Sequence, residues 1–360
     1  TPLYSSAASD VYKRQLLNDT PTNKVSILTI EYDIRDDQPE GTQVVTLSTS
    51  SEALIEQLVL RKYPTISAVD ARTIAVFSGG NARIAIALGG TLEKNESLAG
   101  LTDTDLFKRI FLQRHEENNS LLLAAQVCSL VYSFDGEKID TDFQLARLAR
   151  LIGQNTTELY RHVAELMRRD LIQHRGPWRA VLPHALANRL ATTALENIPH
   201  QIIEKEFFEI GSEHLARSFS RRLSFLHESK QAVSIVIEWL KPEGMLGDLS
   251  KLNELGNAML NNIAPVQPDA TLAVLERGAN QLTERSAEAL AQHITLIRSL
   301  AYDSHLFERS ASLILKILVN EKVERGSWSV LSHFSSLFHI YLSGTCLLYT
   351  SPSPRDKRQS

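Results

Sequence analysis

From Asp103 to the end of the interpretable sequence, apolar residues recur at three- and four-residue spacing almost without pause, and this periodicity commits most of the chain to packed α-helices. One stretch breaks the pattern. LIQHRGPWRAVLP, Leu171 to Pro183, has no helical face; it reads as two short strands around a tight Gly176-Pro177 turn. Before it, the pattern predicts helices over Asp103–Arg114, Asn119–Phe134, Asp142–Ile152 and, capped by Asn155, TTELYRHVAELMRRD with Leu159, Val163 and Leu166 on one face. After it, a helix starts at Pro183. Helix, short helix, helix, β-hairpin, helix is the order of a winged-helix module, spanning 119–197.

Beyond Pro199 the sequence reads as antiparallel helical pairs: Ile202–Glu209, Ser212–Leu226, Ser229–Leu240, Leu249–Asn261, Asp269–Gln281, Glu284–Ala301 and His305–Val319. No strict period recurs, so 198–345 reads as an irregular, HEAT-like helical-repeat array, with a plain helical bundle as the alternative. Upstream, Lys24–Asp33 (KVSILTIEYD) and Val44–Leu47 read as strands separated by the turn-forming DDQPEG. Helices follow over SEALIEQLVLRKY, Ala68–Phe77 and from Asn81 through ARIAIALG. The expected fold class is mainly α: the end of an α/β, AAA+-like ATPase module over 16–118, the winged helix, then the array.

Both ends read differently from the rest. SSAASDVYKRQ, Ser5 to Gln15, and CLLYTSPSPRD, Cys346 to Asp356, can be back-translated to runs that resemble the two adapters of transposase-based sequencing read in frame. We therefore expect 1–15 and 346–360 to be adapter-derived and disordered, and Leu16 to Thr345 to be an internal piece of a longer, metagenomic gene product.

Hydrophobic residues make up 43% of the chain and charged residues 22%, which excludes a mainly disordered or collagen-like chain and a polytopic membrane protein. The net charge of −4 makes no overall electrostatic case for nucleic acid. Cys128 is the single cysteine outside the adapter-like ends, so a disulfide framework is excluded and a reducing cytoplasm is expected. No G-x-x-x-x-G-K-[ST], H-E-x-x-H, C-x-x-C or G-x-S-x-G occurs, so neither self-contained catalysis nor a metal site is expected. The strand ending in Glu31, Asp33, Asp36 and Asp37 reads either as a Walker-B-type magnesium strand or as a buried strand running into a solvated acidic turn.

In order, KVSILTIEYDIR, VVTLSTSSEALIEQLV, FSGGNARIAIALGGTL and VLPHALANRLA resemble the second half of the nucleotide-binding module and the winged helix of STAND NTPases, the signal-transduction ATPases of the NB-ARC and NACHT classes. The resemblance spans about Lys24 to Ala191. It implies an ATP/ADP-dependent switch, with Mg held mainly by an upstream half, and assigns Arg35 to the sensor arginine, although the family's Thr-Thr-Arg is here Asp33-Ile34-Arg35. Gly79, Gly80, Asn81 and Ala82 stand on the family's glycine-rich signature, with Ala82 replacing its proline; the helix N-terminus there leaves amides for an anion, and Arg83 is placed to meet phosphate. His184 stands on the histidine that touches the β-phosphate of ADP, and Ala185 replaces the following aspartate. The implied partners are adenine nucleotide, a protein or other ligand sensed by the array, and a second copy in a nucleotide-dependent homo-oligomer; no membrane is implied. Antiphage defence or transcriptional signalling is the implied context. Two alternatives remain: duplex DNA reading by the helix 156–170, through Arg161, His162, Arg168 and Arg169 with Arg175 and Arg179 in the wing, and a purely structural helical scaffold.

Overall fold

The structure is a computed structural model that describes residues 49–92, 96–98, 100–111, 119–138, 143–209, 212–280, 290, 292–320 and 330–338. The two expected upstream strands, Arg35, the acidic cluster and both chain ends lie outside the described residues. The described chain is mainly helical with one small three-stranded sheet.

Helices α1 (Glu52–Lys62), α2 (Ala68–Ser78) and α3 (Ala82–Gly89) pack on one another. Each begins on a side-chain cap: Ser51, Ser67 and Asn81 accept hydrogen bonds from main-chain amides of the first turn, each worth about 1 kcal/mol. Ile55, Val59, Ile74, Ala75, Ala85 and Leu88 form their shared core. Helix α4 (Asp103–Arg109) starts on a capping box between Thr102 and Asp105 and buries Leu106.

Helix α5 (Ser120–Ser129), α6 (Gln144–Leu151), α7 (Thr156–Arg168) and α8 (His184–Asn197) surround a core of Ala124, Val127, Leu145, Leu148, Val163, Leu166 and Leu190. Periodicity alone extends the first of these to Phe134; the structure ends it at Ser129 and uses Phe134–Asp135 as strand β1. The reason is long-range. The Tyr132 amide donates to the Ser218 carbonyl, the Ser133 amide to Ser218 Oγ and the Asp135 amide to Gln144 Oε1, so backbone groups that a continuing helix would use are satisfied elsewhere. Strands β2 (Ile172–Arg175) and β3 (Trp178–Val181) form the expected hairpin, and β1 pairs antiparallel to β3, giving the order β1-β3-β2.

The remaining helices stack as neighbours: α9 (His200–Glu204), continuing as a π turn over Lys205–Glu209, then α10 (Glu213–Leu223), α11 (Lys230–Leu240), α12 (Glu254–Ile263), α13 (Pro268–Asn280), α14 (Ile294–Leu300), α15 (Phe307–Asn320) and α16 (Val330–Ser336). The π turn brings Phe207 and Phe208 against Phe219 at centroid distances of 5.3 and 6.2 Å, and Phe208 meets Trp239 edge-on at 5.3 Å. The Trp239 indole N–H is satisfied by Glu204 Oε1 at 2.8 Å. Helix α11 also contacts α8, which joins this array to the preceding helices.

Candidate functional site

The glycine-rich turn is built for a tight approach of its own chain. Gly79 ends α2 at φ +55° and Gly80 follows at φ +80°; a Cβ on Gly80 would collide with the Ser50 carbonyl and the Thr49 side chain. Next, Asn81 Oδ1 accepts from the amides of Arg83 (3.0 Å) and Ile84 (3.3 Å). The sequence reading leaves these amides to an anion. They are instead occupied by the helix's own cap, and Gly80 is covered by residues 49 and 50, so this turn does not fit as a phosphate cradle.

Arg83 turns toward α7. Its Nη1 donates at 3.1 Å to the main-chain carbonyl of Asp170, itself held at φ +59°. Two further arginines cross the same boundary. Arg169 donates Nη1 to the Ile110 carbonyl at 2.8 Å while its Nε pairs with Glu165 at 2.8 Å, and the Arg189 guanidinium from α8 sits 4.1 Å above the Phe107 ring of α4. Three arginines thus clasp the helices after the glycine-rich turn to α7 and α8.

Alongside this clasp runs a groove of about 720 Å³ between the outer face of α7 and the face of the sheet. Val163, Met167 and Ile172 give it an apolar floor, and Arg83, Arg168, His174 and Arg179 stand around it. His174 and Arg179 are register partners across β2 and β3, so they share a face. Tyr160 lines the groove and is 47% exposed; the Arg168 side chain is 74% exposed despite an ion pair to Glu165. Of the basic residues singled out for duplex reading, Arg169 is committed to the clasp and Arg179 donates to the Gly176 and Trp178 carbonyls, whereas Arg161, Arg168 and Arg175 face solvent.

His184 opens α8 elsewhere. Its ring stacks on Tyr132 at 5.0 Å and on Phe225 at 6.3 Å, with Nε2 3.4 Å from the Tyr132 hydroxyl. Burial, then the Arg222 and Arg221 charges, push its pKa below the ordinary value near 6.5, so the imidazole is neutral at pH 7. Arg221 lies 3.9 Å above the Tyr132 ring. Arg222 is fully buried; its Nη1 bonds Asn188 Oδ1 at 2.6 Å, while Nε and Nη2 have no hydrogen-bond partner. Burial pushes this guanidinium down to about 10, Tyr132 opposing and Arg221 adding to the shift. The described contacts of His184 and those of the Gly80–Arg83 turn share no residue, so the structure does not bring these two sequence-derived sites together.

Sequence reasoning missed Tyr132, Tyr160 and Arg222. Tyr160 was legible: with Ala164 and Arg168 it forms an i, i+4, i+8 stripe on the side of α7 away from Leu159 and Leu166. Tyr132 and Arg222 were not, since only tertiary packing joins α10 to the end of α5. Among the described residues no group of acidic, histidine or cysteine side chains is placed to hold a metal ion, and no helix is long and apolar enough to cross a membrane. No family model matches the chain, and neither a curated protein nor a solved structure matches it.

Proposed function

We propose that this chain carries the transmitting part of a nucleotide-controlled signalling switch of STAND type. Residues 49–111 are read as the closing helices of the ATPase module, 119–197 as its winged helix and 198–338 as the start of a helical sensor array. The observation that carries this reading is the arginine clasp. Arg83, Arg169 and Arg189 join the two parts through main-chain carbonyls and one aromatic ring, contacts that water can replace when the parts separate. The strand order β1-β3-β2, with the hairpin following α7, supports the winged-helix reading.

ATP or ADP, with its Mg, is assigned to sequence upstream of the described residues, because Asn81 already fills the α3 amides and His184 is engaged with Tyr132 and Phe225. The residues of this chain act by holding or releasing the winged helix. The test uses the gene product read upstream of Leu16. A G-x-x-x-x-G-K-[ST] is expected there, and in that protein Arg169→Ala combined with Arg189→Ala speeds release of fluorescent ADP and promotes self-association. An unchanged ADP off-rate refutes the coupling, and a missing phosphate loop refutes the class.

A further inference from the structure

The groove between α7 and the sheet has features that the switch does not use. Its rim is cationic while its floor is apolar. Asp170 is the one acidic residue among those lining it, Glu137 beside Gly136 pairs with Arg179 at 3.6 Å, and Arg83 spends its hydrogen bond on the main-chain carbonyl of Asp170 rather than on a carboxylate. Glu165 tempers Arg168 through a 3.0 Å ion pair, yet that guanidinium stays mostly in water, where such a pair is weak and readily exchanged. On the helical wall Tyr160 shows half of its surface to solvent, one turn from Ala164 and two from Arg168.

We propose that this groove binds single-stranded nucleic acid, with phosphates on Arg83 and Arg168 and an unpaired base stacked on Tyr160. Cations spaced around a concavity with an exposed aromatic ring form the arrangement that recognises a single strand, since every base offers a π-face and each linkage offers a charge. The exposed ring of Tyr160, with partly exposed Met167 in the same groove, separates a single strand from a duplex. A duplex hides its base faces in the stack and could reward only the arginines, whereas splayed bases also cover Tyr160 and Met167. Gln173 and His174, on the adjoining strand, add hydrogen-bonding groups for base edges. An acidic peptide would satisfy the rim and leave the ring without a planar partner. The inference goes beyond the switch reading and does not depend on it, because binding at this groove requires no adenine nucleotide.

Fluorescence anisotropy of a labelled oligothymidylate of about twelve nucleotides, titrated with the whole chain at low salt, tests the proposal. Saturable binding is expected, weakening as salt rises. Tyr160→Ala should weaken it by about tenfold or more, Tyr160→Phe should restore most of the affinity, and Arg168→Glu should weaken it and flatten the salt dependence. Lys251→Glu, a charge reversal in the array, should leave it unchanged, and circular dichroism verifies that each variant folds. Absence of saturable binding overturns the proposal. So does equal affinity of Tyr160→Ala and wild type, which reduces the groove to a general cation surface, or tighter binding of the matched duplex, or displacement of the oligomer by polyglutamate at equal charge concentration.

Discussion

Replacing Arg222 by methionine should stabilise this protein. The side chain is fully buried, and of its three guanidinium nitrogens only Nη1 has a hydrogen-bond acceptor, Asn188 Oδ1; among the described residues no carboxylate pairs with it. Its pKa falls from the ordinary guanidinium value to about 10, with burial as the leading cause. At 1.36 kcal/mol per tenfold, that fall measures roughly 3 kcal/mol of net penalty on the buried charge. Methionine has a similar length and no charge to desolvate. Its cost is the Asn188 hydrogen bond, about 1 kcal/mol because half-buried Asn188 can turn to water, plus a weak cation–π contact with Tyr132, whose ring centre lies 5.6 Å away. The balance favours the variant by about 1–2 kcal/mol, the sign seen when buried ionic groups give way to apolar ones of like volume. Urea unfolding followed by circular dichroism reads it out, and Tm should rise by about 2–4 °C per kcal/mol. A loss of more than about 2 kcal/mol would refute the reasoning, since it would mean that Arg222 satisfies a buried anion whose removal is costly.

Two further outcomes follow from buried ionisable groups. Asp70 accepts from Ser67 Oγ (2.6 Å), the Leu98 amide (2.7 Å) and Ser97 Oγ (2.9 Å); burial alone would raise its pKa, but these donors outweigh it and hold it below the ordinary carboxylate value. Its contribution is therefore present above about pH 4 and lost as pH falls through the lowered value, and Asp70→Ala should cost about 1–3 kcal/mol in a urea midpoint at pH 7; a cost near zero would sink this account. His184, His214 and His293 are all pushed below the ordinary 6.5, each first by burial. Below about pH 6.5 the unfolded chain takes up protons that these folded imidazoles refuse, so stability should fall between about pH 7.5 and 5.5, and His293→Gln should shallow that slope; a midpoint independent of pH would contradict it.

The fold was legible where local and tertiary demands agree. Ser51, Ser67, Asn81 and Asn155 each accept the first-turn hydrogen bond that their residue type leads one to expect, and Gly176-Pro177 makes the hairpin turn. Strand β1 was not legible, because Phe134 continues the apolar spacing of α5 and the backbone is withdrawn from the helix by Gln144 and by Ser218, 85 residues away from Ser133. The candidate site divides in the same way. Asn81 was read as part of an anion turn because a glycine pair before a helix suits phosphate; the competing principle was capping, in which an asparagine supplied by the chain itself takes the same amides. Arg83 was read as a phosphate-facing group, and its partner, the Asp170 carbonyl, lies 87 residues away in sequence.

Net charge says nothing of local fields for a related reason. A chain at −4 has no overall field to draw polyanions, yet the opposed charges are not mixed evenly. On α7 the acids sit where they are used internally: Glu158 closes the capping box with Asn155, and Glu165 is shared between Arg168 and Arg169. Removing those acids from the count leaves Arg168 mostly in water on the groove that Arg83 also lines, so their potentials add at the groove mouth even though the molecule as a whole carries a net negative charge. A local field of this kind is screened strongly at high salt and steers weakly from a distance. Affinity must then come from contact, and the contact that a bare electrostatic patch lacks is the face of Tyr160.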